Sequence, residues 1–289
     1  MNYLFSLWTK PLFNDPAWKT DNDWLINQLR LWTLSVNLIT QQRDAGRIIL
    51  YTDKLGYEIL VKKLSLPFTD CHLFNSDELH VPNNYWNYAK IVALKMYGEM
   101  YDDPCIHLDN DHLQFSHFPR MFKDADIIGL CPHRVFPGAM WYRDLIKFLL
   151  SQNFDFTEEE TSDYKDILNW HSICCGIMGF KNSSVIDQYT SRSLSFLKRL
   201  MTIPLHLYCN PYDFNCLFEQ WMLALTAKVC NYKVAYLSTG IEAPHQQRRL
   251  FFHPYGPRKN SAGTQQFVEK ELITHFPASF IQVKQLITR

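Results

Sequence analysis

The sequence predicts an α/β fold in which parallel strands form a central sheet, helices flank it, and the whole makes a single two-lobed domain. Three observations predict it. Six short apolar runs rich in β-formers are spread along 289 residues, stretches with helical periodicity lie between them, and no internal repeat, low-complexity segment or clear linker divides the chain. A chain of this length buries roughly three quarters of its unfolded surface, so a substantial core is available.

The expected strands are Tyr3 to Trp8, Arg47 to Asp53, Cys105 to Asp109, Ala125 to Leu130, Gly176 to Phe180 and Val234 to Ser238. Between the first two, Leu25, Leu29, Trp32, Val36 and Ile39 recur at the spacing of one helix face, which gives β-α-β at the start. A second helix, about Trp86 to Tyr101, stacks Ala89, Val92, Ala93, Met96 and Met100 and stops before Pro104. A third, Phe214 to about Val229, carries Phe214, Leu217, Phe218, Trp221 and Leu225 on its buried face, with Glu219 and Gln220 off that stripe. The tail beyond Pro257 is less readable.

Charge narrows the partners. With 29 basic and 29 acidic residues and no long block of one sign, nothing points to nucleic acid or to a polybasic membrane contact. The N-terminal MNYLFSLWTK has no basic region ahead of its short apolar run, so it does not read as a signal peptide, and no run of about 18 apolar residues could span a bilayer. The eight cysteines form no CxxC pair, and Cys174 and Cys175 are adjacent, which suits free thiols in a reducing compartment. The expectation is a cytoplasmic protein without a transmembrane segment. The aromatic content of 15% suits a packed core and also clefts that stack on ring-shaped ligands.

The chemistry centres on CIHLDNDHLQF, where Asp109 and Asp111 follow a buried strand with one residue between them. Carboxylates this close repel one another unless water, a cation or hydrogen-bond donors compensate. A hard divalent cation such as Mn²⁺ or Mg²⁺ is suited to carboxylate oxygens and keeps open positions for phosphate. The pair falls at a strand's carboxyl end, where open α/β sheets bind ligands, although D-x-D also occurs in ordinary surface turns. A second cluster, FFHPYGPRKN, spaces His253, Gly256 and Lys259 three apart. The imidazole could complete a metal shell, the glycine lets backbone approach a diphosphate, and the lysine meets phosphate charge. The alternative is a basic turn broken by Pro254, Gly256 and Pro257.

Together these segments resemble GT-A-fold glycosyltransferases: LDND is similar to their DxD motif, and HPYGPRK has the His-x-x-Gly-x-x-Lys spacing of the glycogenin-like and lipopolysaccharide galactosyltransferase-like retaining enzymes. The resemblance implies a Rossmann-like, mostly parallel sheet, a nucleotide-sugar-binding lobe of about residues 1–130, and an acceptor lobe of about 131–289 whose C-terminal segment closes over the diphosphate. It implies a metal-dependent hexosyltransferase taking a nucleotide-diphosphate sugar, with UDP favoured, to a glycan, lipid-linked or protein acceptor. Asp109, Asp111 and His253 would bind Mn²⁺ or Mg²⁺, with Asp109, Gly256 and Lys259 at the donor. SLWTKP and LYTDKLG are similar to the first two strand ends of bacterial transferases, which brings Ser6, Trp8 and Thr9 to the nucleotide pocket. The family's Asn-x-Gly strand motif is here CCGIMGF, with Cys174 in the asparagine's place, and the lysine lacks the following Pro-Trp.

Lys90 sits on the helix before the DxD strand, where related enzymes reach the donor with a basic residue; a snorkelling surface lysine is the alternative. Glu219 and Gln220 occupy the region where related retaining enzymes place acidic or amide groups near the sugar's reacting face, and are the catalytic candidates against a solvated helix face. His171 is a candidate for the acceptor pocket or a structural hydrogen-bonder. Two rivals share the D-x-D feature: an aspartyl-phosphate-type phosphohydrolase, whose usual Gly-Thr turn is missing here, and a non-catalytic carbohydrate- or protein-binding module.

Overall fold

Near-continuous apolar runs are what a parallel strand needs when both of its faces are covered, and all six expected runs are strands, each ending within two residues of its expected limits. The computed structural model describes residues 1–9, 22–74, 81, 85–119, 124–134, 140–166, 168–238, 250–254 and 256–287. Along the chain run β1 (Asn2–Leu7), α1 (Asn22–Thr40), β2 (Ile48–Thr52), β3 (Asp70–Leu73), α2 (Tyr88–Met100), β4 (Cys105–Leu108), β5 (Leu113–Gln114), β6 (Ile127–Gly129) and β7 (Pro132–Arg134). There follow α3 (Trp141–Ser151), α4 (Glu158–Lys165), β8 (His171–Ile173), β9 (Ile177–Phe180), α5 (Ser183–Leu200), α6 (Met222–Val229), β10 (Val234–Tyr236), β11 (Phe251–Phe252), α7 (Ala262–His275) and α8 (Pro277–Ile287).

The chain divides into two compact units that interleave along the sequence, one of residues 1–80, 105–118 and 242–289, the other of residues 81–104 and 119–241. In the first unit β4, β1, β2 and β3 lie side by side and all parallel, with Leu4 opposite both Ile49 and His107. Helix α1 is buried on two faces rather than one. Trp32 packs on Phe5 of β1 with ring centroids 5.7 Å apart. Leu31, Leu34 and Leu38, outside the stripe read from the sequence, join Leu113, Phe252, Val268, Leu272 and Phe280 in a second core. The less readable tail thus makes two helices, α7 and α8, whose apolar residues pack on α1, with Ser261 capping α7 by accepting from the Thr264 amide. Strands β5 and β11 pair antiparallel in this unit, Phe252 opposite Leu113 and Phe251 opposite Gln114.

In the second unit β6 pairs parallel with β10 and antiparallel with β9, and β7 pairs antiparallel with β8. Gly129 in β6 has no alternative to glycine, because a Cβ there would lie 2.3 Å from the Ile173 Cγ2 methyl, on a β-branched side chain that is stiff at χ1. Two sequence expectations are corrected here. The buried face of α2 is Ala89, Lys90, Ile91, Ala93, Leu94 and Tyr97, while Met100 is exposed and Val92 and Met96 are half-buried. The third helix is broken into a 3₁₀ turn (Pro211–Phe214), a π-helical turn (Leu217–Trp221) and α6. The wider π turn brings Glu219 inward beside Leu217 and Phe218, so Glu219 lies in the buried face and not off it.

No helix among the described residues is long and apolar enough to cross a membrane. Among the described residues no two cysteines form a disulfide.

Candidate functional site

The turn after β4 is built by the chain itself. The His112 amide donates to the Asp109 carbonyl (3.0 Å), which closes the turn that carries the two aspartates. Helix α1 then holds it from one side, Asn110 donating to Gln28 Oε1 (3.0 Å) and Ser35 Oγ to the His112 carbonyl (2.8 Å). Asp109 is half-buried and Asp111 buried.

The β5–β11 pairing draws the late segment to this turn, because His253 follows directly on Phe252. His253 is buried, with its Nδ1 3.4 Å from Asp111 Oδ1. Lys259 Nζ, from the 3₁₀ turn Gly256–Asn260, stands 3.6 Å from Asp111 Oδ2. The structure therefore brings together Asp111, His253 and Lys259 of the expected set. Two ligands in adjacent positions on a cation with bonds of roughly 2.1 Å are about 3 Å apart. A carboxylate oxygen facing an imidazole nitrogen at 3.4 Å is close to that spacing and longer than an ordinary hydrogen bond. The carboxylate of Asp111 is a ligand type suited to Mn²⁺ or Mg²⁺, and the imidazole of His253 one suited to transition metals. Among the described residues, no group of three or more His, Cys, Asp and Glu side chains lies close enough together to hold a metal ion.

Beside this triad lies a histidine that sequence reasoning passed over as a neighbour. His112 is fully buried, stacked 5.9 Å from Phe251 and tilted against His253 at 6.0 Å, with Nε2 2.9 Å from Gln114 Oε1. Burial above all pushes its pKa down to about 4. It is neutral at neutral pH. Gln114 Nε2 donates to the Ser116 carbonyl (2.8 Å), so its oxygen faces His112 and the imidazole proton resides on Nε2.

At the end of β1, Ser6 Oγ pairs with His107 Nε2 of β4 at 2.9 Å, and Trp8 is buried. The amide and hydroxyl of Thr9 both donate to Asp53 Oδ2 (2.8 and 2.6 Å), and Asp53 Oδ1 accepts from the Gly56 amide (2.9 Å). Thr9 thus ties the end of β1 to the end of β2. Asp53 was legible as the cap of a helix start in TDKLG and was not singled out. Lys10 and Pro11 of SLWTKP and Tyr255 of HPYGPRK lie outside the described residues.

The second unit holds the other candidates. Lys90 is buried, its ammonium bonded to Glu219 Oε1 and to the Cys175 carbonyl at 3.2 Å. It is neither a surface lysine nor a snorkelling one. Glu219 Oε2 accepts from Asn87 Nδ2 (2.6 Å), so both carboxylate oxygens are held, and Gln220 Oε1 accepts from the Tyr142 hydroxyl (3.1 Å). Around them, burial pushes the Cys216 thiol and the Tyr142 and Tyr189 phenols far up, which marks a dry interior. His171 is half-buried in β8 with Nδ1 3.0 Å from the Asn169 carbonyl, and Cys174 is buried with its amide bonded to the Cys131 carbonyl.

Comparison with known proteins gives a family and a fold. The model of DUF6734, described as a family of unknown function, matches residues 1–286. No curated protein matches. Among solved structures the chain is similar to the WbbM bifunctional glycosyltransferase, at 10% identity and TM-score 0.51 over 98% of this chain and 51% of that one. It is similar also to the galactosyltransferase LgtC (11% identity, TM-score 0.44, 93% and 94% covered) and to mouse xyloside xylosyltransferase 1 (11%, 0.43, 82% and 86%). The chain spans about half the length of WbbM. The fold is GT-A-like: α/β, mostly parallel, flanked by helices.

Proposed function

We propose that this chain, which belongs to the DUF6734 family, is a glycosyltransferase that moves a sugar from a nucleoside-diphosphate sugar, with UDP as the favoured carrier, to a glycan, lipid-linked or protein acceptor. The observation that carries this reading is the meeting of Asp111 with His253 at 3.4 Å and with Lys259 at 3.6 Å, on a GT-A-like fold. A buried carboxylate facing an imidazole and an ammonium is the start of a site for a cation and a diphosphate together. Asp109, Asp111 and His253 would hold Mn²⁺ or Mg²⁺, which supplies positive charge beside the departing diphosphate. Lys259 adds a second positive charge at the same place, and the neutral His112 adds none. Gly256, at the head of the turn carrying Lys259, lets the backbone come close to the phosphates. Ser6 and Trp8 stand at the strand end assigned to the nucleotide. Glu219 and Gln220 are assigned to the sugar's reacting face, and Lys90 acts there through its bond to Glu219. Retention of anomeric configuration is favoured by analogy with the His-x-x-Gly-x-x-Lys spacing.

The test is a panel of UDP- and GDP-sugars assayed for sugar release with and without Mn²⁺. At least one donor is expected to be turned over with metal, and Asp111→Asn is expected to lower that rate by at least about a hundredfold, the scale of one charge-stabilising contact, with an unchanged circular dichroism spectrum. A fully active Asp111→Asn variant would refute the assignment. Release of phosphate from simple esters, without any turnover of nucleotide sugars, would establish a phosphohydrolase instead.

A further inference from the structure

Among the described residues most of the large aromatic rings are buried or half-buried, but two stand exposed face to face. Trp86 is 44% exposed and Tyr212 41% exposed, and their rings stack 5.2 Å apart at 29°. They come from distant stretches, NYWNY at the start of α2 and NPYDFN in the 3₁₀ turn Pro211–Phe214. One buried side chain fixes both backbones: Asn215 Oδ1 accepts from the Asn87 amide (3.1 Å) while its Nδ2 donates to the Tyr212 carbonyl (2.9 Å). The stack is therefore preorganised, with little rotamer freedom left to lose when a ligand settles on it.

The surroundings state what kind of ligand fits. Asn87 and Asn210 are amides, and the Asp213 carboxylate, next in the chain to Tyr212, accepts from Asn210 Nδ2 (2.8 Å). Partial burial pushes the Asp213 carboxyl up from its usual range. Flat apolar faces beside amide and carboxylate groups match a pyranose, which has an apolar C–H face and a rim of hydroxyls. Its C–H bonds carry partial positive charge toward the negative face of an aromatic ring.

We propose that Trp86 and Tyr212 form a stacking platform for a neutral sugar ring of the acceptor, edged by Asp213 and Asn210. The acceptor role rests on the glycosyl-transfer reading above; the sugar binding itself does not. The link to chemistry is short, since Asn87, one residue from Trp86, donates to Glu219 Oε2 (2.6 Å). A ring settled on the platform is thereby joined to the carboxylate assigned to the reacting face.

The test uses lactose, maltotriose and cellotriose as probes in saturation-transfer NMR and calorimetry, on the full chain and on Trp86→Ala, Tyr212→Ala and Trp86→Phe, each checked by thermal melting. At least one sugar is expected to bind the natural chain, to weaken at least about tenfold in both alanine variants, as for a truncated aromatic anchor, and to be largely restored in Trp86→Phe. Equal binding by the natural chain and both alanine variants, or no binding of any of the three sugars at millimolar concentration, overturns the proposal. UDP titrated with Mn²⁺ into the same variants is expected to be unaffected. If UDP fails to bind while the sugars still depend on the platform, the platform stands and the transfer reading falls.

Discussion

Lys90→Met is expected to destabilise the protein by about 3–5 kcal/mol, the loss typical of removing one partner from a buried ion pair. Both side chains are almost wholly out of water, 8% exposed for Lys90 and 2% for Glu219. Without the ammonium, the Glu219 carboxyl is left in a dry interior without its charged partner, although Asn87 still donates to it. The attraction between the two ions does not by itself produce a large net stabilisation, because each gave up its hydration to be there. The penalty comes from stranding one of them. The double variant Lys90→Met/Glu219→Gln is therefore expected to recover most of the loss, and the cycle of two single variants and the double one isolates the coupling. Urea unfolding measures all three. A single variant within about 0.5 kcal/mol of the natural chain, as for an ordinary surface substitution, would mean that the pair is not buried as described.

The second large effect lies beneath the aspartate turn. Phe252→Ala is expected to lower stability by about 3–5 kcal/mol, the range for truncating a fully buried phenylalanine. Phe252 is 1% exposed, meets Leu113 across the β5–β11 ribbon, and stacks edge-on to Phe267 of α7 at 5.3 Å. The same ring seats the strand that leads into His253. The variant should therefore lose Mn²⁺-dependent UDP binding together with stability, whereas Phe252→Leu, which keeps most of the buried surface, should lose far less of either. Loss of stability with undiminished UDP binding would separate the ribbon from the site.

What could be read from the sequence follows physical lines. Strands β1, β2 and β4 are buried over most or all of their length, and such strands show as unbroken apolar runs. The aspartates were legible because they follow one of those runs, and His253, Gly256 and Lys259 because three residues with distinct chemistry recur at fixed spacing. The ribbon that joins these segments was not legible. Strands β5 and β11 are two residues each, too short to carry a period. The second buried face of α1 was missed because Leu31, Leu34 and Leu38 pack on the C-terminal helices, whose own pattern is weak. Glu219 was placed outside the core because a 3.6-residue period was assumed where the chain makes a π-helical turn. The Lys90–Glu219 bond joins residues far apart in sequence, and nothing local to either announces it.

Calorimetric titration of UDP into the natural chain and into Asp111→Asn, each with and without Mn²⁺, tests the central claim most directly. The account predicts UDP binding that strengthens at least about tenfold, or 1.4 kcal/mol, when Mn²⁺ is present, and that loses this gain in Asp111→Asn. UDP binding indifferent to Mn²⁺, or a full metal-dependent gain retained in Asp111→Asn, would contradict it.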